Sequence, residues 1–387
     1  MKNGYNLLII GFFNSVYIKN LVKNLKKENP HAHIYFFGNG DDASKYAEHD
    51  YIECYDEFFL YENKRRTEKI PIIRGIEFIY RYRKAFKGFV KNKRIDIINI
   101  HYVINVYVFL LDIMKRFSKK LVVSPWGSDV FYVSSRTRRM LRLLYGKADF
   151  ITGKPESDFA KVTMEKFSFS ASKYYSDIEC GSEAIDYILN NKDLIDINNA
   201  KKQLGIDGNY VITCGYKGEP GQQHLAIIDA INNVKAQLPS NLLLLFPFTY
   251  GGSTEYRSSV KKKVEESGLK AVFFEEFVDM PKLFLMRQAT DLYIHTLIDD
   301  AGGASLKEYL TCEKKAVVGG WLHFADLSKD KELPYFTTDN MQQLDEAILK
   351  AYNSPSLVFG NNTRETLLRK GWSKAIKLWN NFYCKIA

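Results

Sequence analysis

Long hydrophobic runs are missing from this 387-residue chain: segments such as LVVSPWGS and VYVFLLDIM fall short of the roughly 18 to 20 apolar residues that a membrane-spanning helix requires, and polar residues flank both. The opening MKNGYNLLIIGFF carries one lysine in its first ten residues and no small-residue cleavage site, so it reads as a first strand rather than a targeting segment. Cysteine is sparse: Cys54, Cys180, Cys214, Cys312 and Cys384 are scattered, with no CxxC pair, which excludes a disulfide framework and fits a reducing compartment. A cytoplasmic protein is expected, either soluble or peripheral on the inner face of the membrane. The GxGxxG fingerprint is absent, since Gly11 stands alone after the first apolar run, and NAD or FAD binding is excluded on that ground. No DxD carboxylate pair follows a strand, and His31 and His33 have no companion ligands, so neither a metal nor a cofactor is expected.

What is present is 46% apolar residues, enough for a large core in two or three domains. Short apolar runs alternate with helical patterns: NLLIIG, HIYFFG, DIINIHYV, KLVVSPWG and DFITG, then YVITCG, LLLLFPF, AVFFEEF, DLYIHT and KAVVGG. Such a rhythm predicts two open α/β sheets of parallel strands with crossover helices. Residues 1–180 form the first expected domain and residues 206–365 the second. Residues 181–205, polar and rich in Asn and Asp, read as the linker. One or two amphipathic helices end the chain, and residues 366–387 are expected to pack back on the first domain.

Open α/β sheets bind ligands beyond the carboxyl ends of their strands, so function is expected in the loops there. Asp299–Leu310, DDAGGASLKEYL, follows a strand and opens a helix. Free amides around Gly302, Gly303, Ala304 and Ser305, with the positive end of the helix dipole, suit a diphosphate. Asp300 would lie before that helix and Glu308 about one turn into it. Alternatively, Asp299 or Asp300 merely caps the helix and Glu308 is solvated. A second loop, Tyr216–His224, has the layout of a phosphate loop: Lys217 can neutralise a diphosphate, and Gly218 and Gly221 permit close approach. An ordinary strand-to-helix turn is the competing reading. In the first half, Trp126, Gly127, Ser128 and Asp129 follow a strand. Asp129 is either a general base for an acceptor hydroxyl or a cap on the next helix. His101, at a strand end, is either a residue near the reacting sugar or one that satisfies a backbone group.

The acid, glycine turn and second acid resemble the E-x7-E signature of glycosyltransferase family 4, standing here as Asp300-x7-Glu308. The resemblance implies a GT-B fold, two Rossmann-like doubly wound domains facing a cleft, with a nucleotide-sugar donor and no metal. By it Asp300 would face the donor sugar and Glu308 would bind the ribose hydroxyls; Asp replaces Glu at the first position beside Asp299, so which aspartate meets the sugar stays open. The loop at Trp126–Asp129 is similar to the HGSD-like loop of that family, with Trp126 in place of histidine. Gly11, Trp126 and Ser128 would then lie on the acceptor side, and His101 near the sugar. Residues 205–350 resemble the family 56 transferases, which move 4-acetamido-4,6-dideoxygalactose from thymidine diphosphate to a polyprenyl-linked disaccharide of enterobacterial common antigen. On this likeness Tyr250 lines the cleft and Val278 lies near the base.

The formal charge of +10 is uneven: Lys and Arg crowd residues 64–94, where Glu68 and Glu77 are the only acids, and Arg136, Arg138, Arg139 and Arg142 add a second group. A basic aromatic helix over residues 70–94 can lie in a lipid interface, or be a core helix with a basic outer face. The expected function is a retaining transfer of sugar to a glycan or polyprenyl diphosphate-linked acceptor in bacterial surface polysaccharide synthesis, such as capsule or O-antigen. The alternatives are a GT-B sugar-nucleotide epimerase and a non-enzymatic nucleic-acid binder; no nucleic-acid recognition motif supports the latter, and nucleic acid is not an expected partner.

Overall fold

The computed structural model describes residues 4–39, 52–62, 71–153, 158–176, 178–300, 302–322, 335–355 and 359–387. Lys64, Arg65, Arg66 and Lys69 of the basic segment lie outside the described residues. The chain divides into two units, Met1–Gly181 with Trp372–Ala387, and Ser182–Gly371.

The first unit is built on a wholly parallel sheet of β1 (Asn6–Phe12), β2 (His33–Asn39), β3 (Glu57–Tyr61), β4 (Ile95–His101), β5 (Ser118–Ser124), β6 (Phe150–Thr152) and β7 (Tyr174–Tyr175). Their order is β3-β2-β1-β4-β5-β6-β7. Alternation of side chains sends Leu7, Ile9, Ile34 and Phe36 to one face, where Val16–Glu28 and the C-terminal helix Trp372–Ile386 cover them with Leu21, Leu25, Trp379, Phe382 and Tyr383. Phe37 points the other way, against Tyr82 and Phe86 of the helix Pro71–Val90. Burial on both faces explains why these strands read as continuous apolar runs.

The second unit repeats the plan with β8 (Tyr210–Cys214), β9 (Leu242–Phe246), β10 (Ala271–Phe273), β11 (Leu292–His295), β12 (Lys315–Gly319) and β13 (Phe336–Thr338), in the order β10-β9-β8-β11-β12-β13, again all parallel. Ile212, Leu244 and Ile294 pack under His224–Val234 and Leu344–Asn353, while Val211, Leu243 and Leu245 meet Met286 and Ala289 on the opposite face. Residues 181–205, read from the sequence as a linker, instead form the helices Glu183–Asn191 and Ile197–Gln203 within this unit, capped by Ser182 and Asp196. Their Ala184, Ile185 and Ile188 are buried, so the polar composition belongs to the solvent face.

A recurrent device closes the amino edge of both sheets. Asp56, Asp96, Asp149 and Asp291 each accept a backbone amide of a neighbouring strand, from Ile34, Asn6, Leu121 and Val211, and pair with Lys26, Lys119, Lys115 and Lys201. Burial works against the charged form of Asp56, Asp96 and Asp149, but the lysines and amides prevail and hold all three below the usual carboxylate range.

Candidate functional site

In each sheet the strand order reverses its direction of growth at one place, between β1 and β4 in the first unit and between β8 and β11 in the second. Loops leaving the two strands in opposite directions open a crevice there. The paired registers end with Cys214 beside Ile294 and Ile10 beside Ile100, so Gly215 and His295, and Gly11 and His101, are the next residues along the chain at the switch points.

In the second unit the loops after β8, β9 and β11 are tied to one another. Gly215 donates to the Ile294 carbonyl, Gly218 to that of Tyr250, Ile298 to that of Gly221, and the Gln223 side chain to that of Thr296. Gly252 has φ +72°, and a Cβ there would stand 1.6 Å from the Gly218 oxygen, so the two glycine loops touch backbone to backbone. Arg257 holds the Gly251 carbonyl through Nε and Nη2. Lys217 is partly exposed and paired with Glu219 at 2.6 Å. Tyr250 is half exposed above this loop. Val278 packs with Val211, Leu243 and Met286, whereas its neighbour Phe277 is exposed.

The turn after β11 is shaped by Asp300. Its Oδ1 accepts the amides of Gly302 (2.8 Å) and Gly303 (3.1 Å), and its Oδ2 lies 3.0 Å from His295 Nε2. Burial would raise this carboxyl, but His295 and the two amides together hold it well below the usual range. Gly303 takes φ +57° and is the N-cap of the helix Ala304–Thr311, so the cap residue itself has no side chain to offer the first amides. The Asp300 carboxylate is thus spent on the amides of the turn and on His295 rather than on those of the first helical turn. Asp299 is half-buried beside it. Glu308 is not solvated: it is buried, and Oε2 accepts both Nε (3.1 Å) and Nη2 (3.0 Å) of Arg287. Arg287 also donates to the Tyr309 hydroxyl, and Tyr309 stacks on Tyr293 at 3.8 Å.

In the first unit a Cβ on Gly11 would meet Ile18 at 2.7 Å and the His101 carbonyl at 3.1 Å, so strand and loop approach closely there. His101 is buried among Trp126 and Trp379, neither ring nitrogen has a hydrogen-bond partner among the described residues, and burial pushes its pKa down to about 3. Asp129 is 4% exposed and faces backbone: Oδ1 accepts the amides of Trp126 and Gly127 (both 2.8 Å) and Oδ2 that of Val103 (2.7 Å). Burial raises its pKa against the pull of those amides. This geometry is that of a residue pinning the loops after β4 and β5, a role that neither sequence reading, base or helix cap, names. Phe12, Tyr17, Tyr102 and Trp126 form a chain of edge-to-face rings beside it, and Ser128 Oγ lies 3.3 Å from the Tyr102 hydroxyl. Tyr102 has φ +57°, a conformation unusual for an aromatic residue and found here at the switch point.

Sequence reasoning passed over His295, Tyr293 and Arg287. The signal for His295 was available, since it ends a strand as His101 does; Arg287 carried none, because nothing in the sequence pairs it with Glu308. Among the described residues no three His, Cys, Asp or Glu side chains are grouped as metal ligands.

Residues 6–154 match the family model described as "Glycosyl transferase 4-like". No curated protein sequence matches the chain. Solved structures share its fold along the whole length: a glycosyltransferase from Rickettsia africae (14% identity, 99% of each chain, TM-score 0.74), sucrose-phosphate synthase from Thermosynechococcus elongatus (16%, 98% of each chain, 0.70), and Anabaena HepE in complex with UDP and glucose (15%, 98% of this chain and 100% of that one, 0.67). The fold is GT-B, made of two Rossmann-like domains.

Proposed function

We propose that this protein is a glycosyltransferase that moves a sugar from a nucleotide diphosphate to an acceptor hydroxyl. The observation that carries the reading is the amino end of Ala304–Thr311, with glycine as its N-cap, at the switch point of the second unit, behind a glycine turn that Asp300 holds rigid. Diphosphate oxygens would take those amides, with Lys217 in reach of the same charge, so that departure of the nucleotide is favoured without a metal ion. Glu308, fixed by Arg287 through one oxygen, keeps Oε1 for the ribose hydroxyls. The match over residues 6–154 and the UDP and glucose bound by HepE support the donor class.

The acceptor would be held on the first unit by Gly11, Trp126, Ser128 and the rings around His101. A lipid-linked glycan is supported by the helix Pro71–Val90, whose Ile73, Ile76 and Tyr80 are exposed with Arg74, Lys84 and Lys87 nearby, a basic amphipathic face suited to anionic lipid. Among the described residues no helix is long and apolar enough to cross a membrane. The family 56 likeness of residues 205–350 supports a place in surface polysaccharide synthesis, and the Asp300-x7-Glu308 pattern supports retention.

The test is a thermal-shift panel of UDP, GDP, TDP, CDP and ADP, each with and without EDTA. A selective rise that EDTA does not remove is expected, because a ligand that binds the native state stabilises it. No shift with any nucleotide in folded protein would overturn the donor assignment. Flotation with vesicles of anionic lipid at low salt tests the membrane arm separately.

A further inference from the structure

Behind the amino end of Ala304–Thr311 runs a buried chain of hydrogen bonds: Asp300 Oδ2 to His295 Nε2 (3.0 Å), His295 Nδ1 to the Tyr293 hydroxyl (2.8 Å), and that hydroxyl to Ser305 Oγ (2.9 Å). His295, Tyr293 and Ser305 are all buried, and Ser305 is the second residue of the helix. We propose that His295 and Tyr293 are positioning residues that decide which way the Ser305 hydroxyl points, and that a diphosphate binding at this helix end is accompanied by uptake of a proton on His295. The inference rests on the donor site proposed above and adds to it a residue set and a pH dependence.

The direction of the chain follows from counting hydrogens. Asp300 is ionised, so Oδ2 only accepts, and Nε2 must carry a hydrogen. With a neutral ring, Nδ1 is then an acceptor. Tyr293, which burial keeps protonated, must give its single hydrogen to Nδ1, and its oxygen accepts the hydroxyl hydrogen of Ser305. That hydrogen is turned inward and unusable by a ligand. With a protonated ring, Nδ1 donates to Tyr293, Tyr293 donates to Ser305 Oγ, and the Ser305 hydrogen is released toward an acceptor beyond the helix end. An anionic oxygen there favours the second arrangement, and linkage makes the preference reciprocal: protonating His295 strengthens anion binding, and anion binding draws a proton onto His295.

Other ionisable groups stand around the imidazole. Tyr216, after β8, lies nearly parallel to the ring at 6.2 Å, and Tyr309 stacks on Tyr293. Arg287 and Glu308, from two different helices, are bonded to each other and reach the chain through Tyr309. Asp299 adjoins Asp300 in the turn.

The experiment is isothermal titration of the full chain with UDP-glucose, TDP-glucose, GDP-mannose and ADP-glucose, whose esterified diphosphates do not titrate across the range used, from about pH 5.5 to 8.5, where imidazoles change charge. Each titration is run in buffers of different ionisation enthalpy to count protons. The nucleotide sugar that binds should take up close to one proton at the alkaline end, with affinity falling up to about tenfold per pH unit there. Tyr293→Phe, which keeps the ring stacked on Tyr309, and Ser305→Ala both cut the chain; each should bind without proton uptake and with a flat pH profile, at about tenfold lower affinity than wild type at the acid end. A purely structural loss would lower affinity evenly and leave the slope in place. Equal slopes in wild type and both variants, with melting temperatures showing that the variants fold, would overturn the proposal while leaving the donor site standing. Binding of none of the four would overturn the donor site and this inference together.

Discussion

Asp129→Asn separates the pinning role seen in the structure from the general-base role that the sequence allows for this residue. In the structure the carboxylate meets three backbone amides, those of Val103, Trp126 and Gly127, at 2.7 to 2.8 Å in a site 4% exposed. An asparagine has one acceptor oxygen. Placed on the Trp126 and Gly127 side, it turns its NH2 against the Val103 amide; flipped, it orphans the other two. At least one buried amide loses its partner, at about 1–3 kcal/mol, and the surviving bonds lose charge assistance, so the substitution should cost about 2–4 kcal/mol. For a unit of this size that is a fall in Tm of roughly 5–15 °C. Tryptophan fluorescence during heating and in urea reads it directly, since Trp126 lies in the affected loop. Asp129→Ala, which strands all three amides, should be worse. A D129N protein that melts within about 1 °C of wild type would refute the pinning role. Loss of turnover by a factor of 10² or more in such a protein would restore the general base.

Further outcomes follow from the second unit and the sheet edges. Gly252→Ala places a Cβ against the Gly218 carbonyl at a positive φ and should cost about 3 kcal/mol or more while weakening nucleotide binding at least tenfold; Gly221→Ala, with open space around its Cβ, should be near neutral in both assays. Glu308→Gln leaves the buried Arg287 charge without its counter-ion, so thermal melting should show a loss of about 3 kcal/mol in addition to weaker nucleotide binding. The double variant Arg287→Met, Glu308→Leu should regain most of the stability and none of the binding. Asp56, Asp96 and Asp149 have folded-state pKa values below their unfolded ones, so the stability they contribute is present above the usual carboxylate range and lost as pH falls through it. Acid titration of wild type should therefore show the first unit unfolding below about pH 4, and the triple Asn variant should be less stable at neutral pH with a flatter acid limb.

Most of the fold was legible because parallel strands buried on both faces are largely apolar, as the LLLLF of β9 and the four isoleucines of β4 are. The strands that escaped, β3, β7 and β13, are short and only partly buried, so no run marks them. Residues 181–205 misled for the opposite reason: Asn and Asp dominate the exposed positions of two short helices, and the capping residues Ser182 and Asp196 were the better guide. At the site, sequence spacing located the glycine turn and both acids but not their partners. Asp300 is bound to His295, five residues earlier at the end of β11, a position the sequence marks without naming its partner. Glu308 is bound to an arginine on another helix, a pairing that depends on where crossover helices land and is invisible along the chain.

The first unit is not a continuous piece of chain, and this bears on its biosynthesis. Trp379, Phe382 and Tyr383, which cover Leu7, Ile9 and Phe36, leave the ribosome only after all of the second unit has been made. At about 5–20 residues per second, that interval is on the order of ten seconds or more. Through it, the part of one sheet face that this helix covers, beside Val16–Glu28, stands open to water while a second sheet forms downstream. Nascent chains of this protein should therefore engage chaperones late, and be protected from them only when the final helix docks.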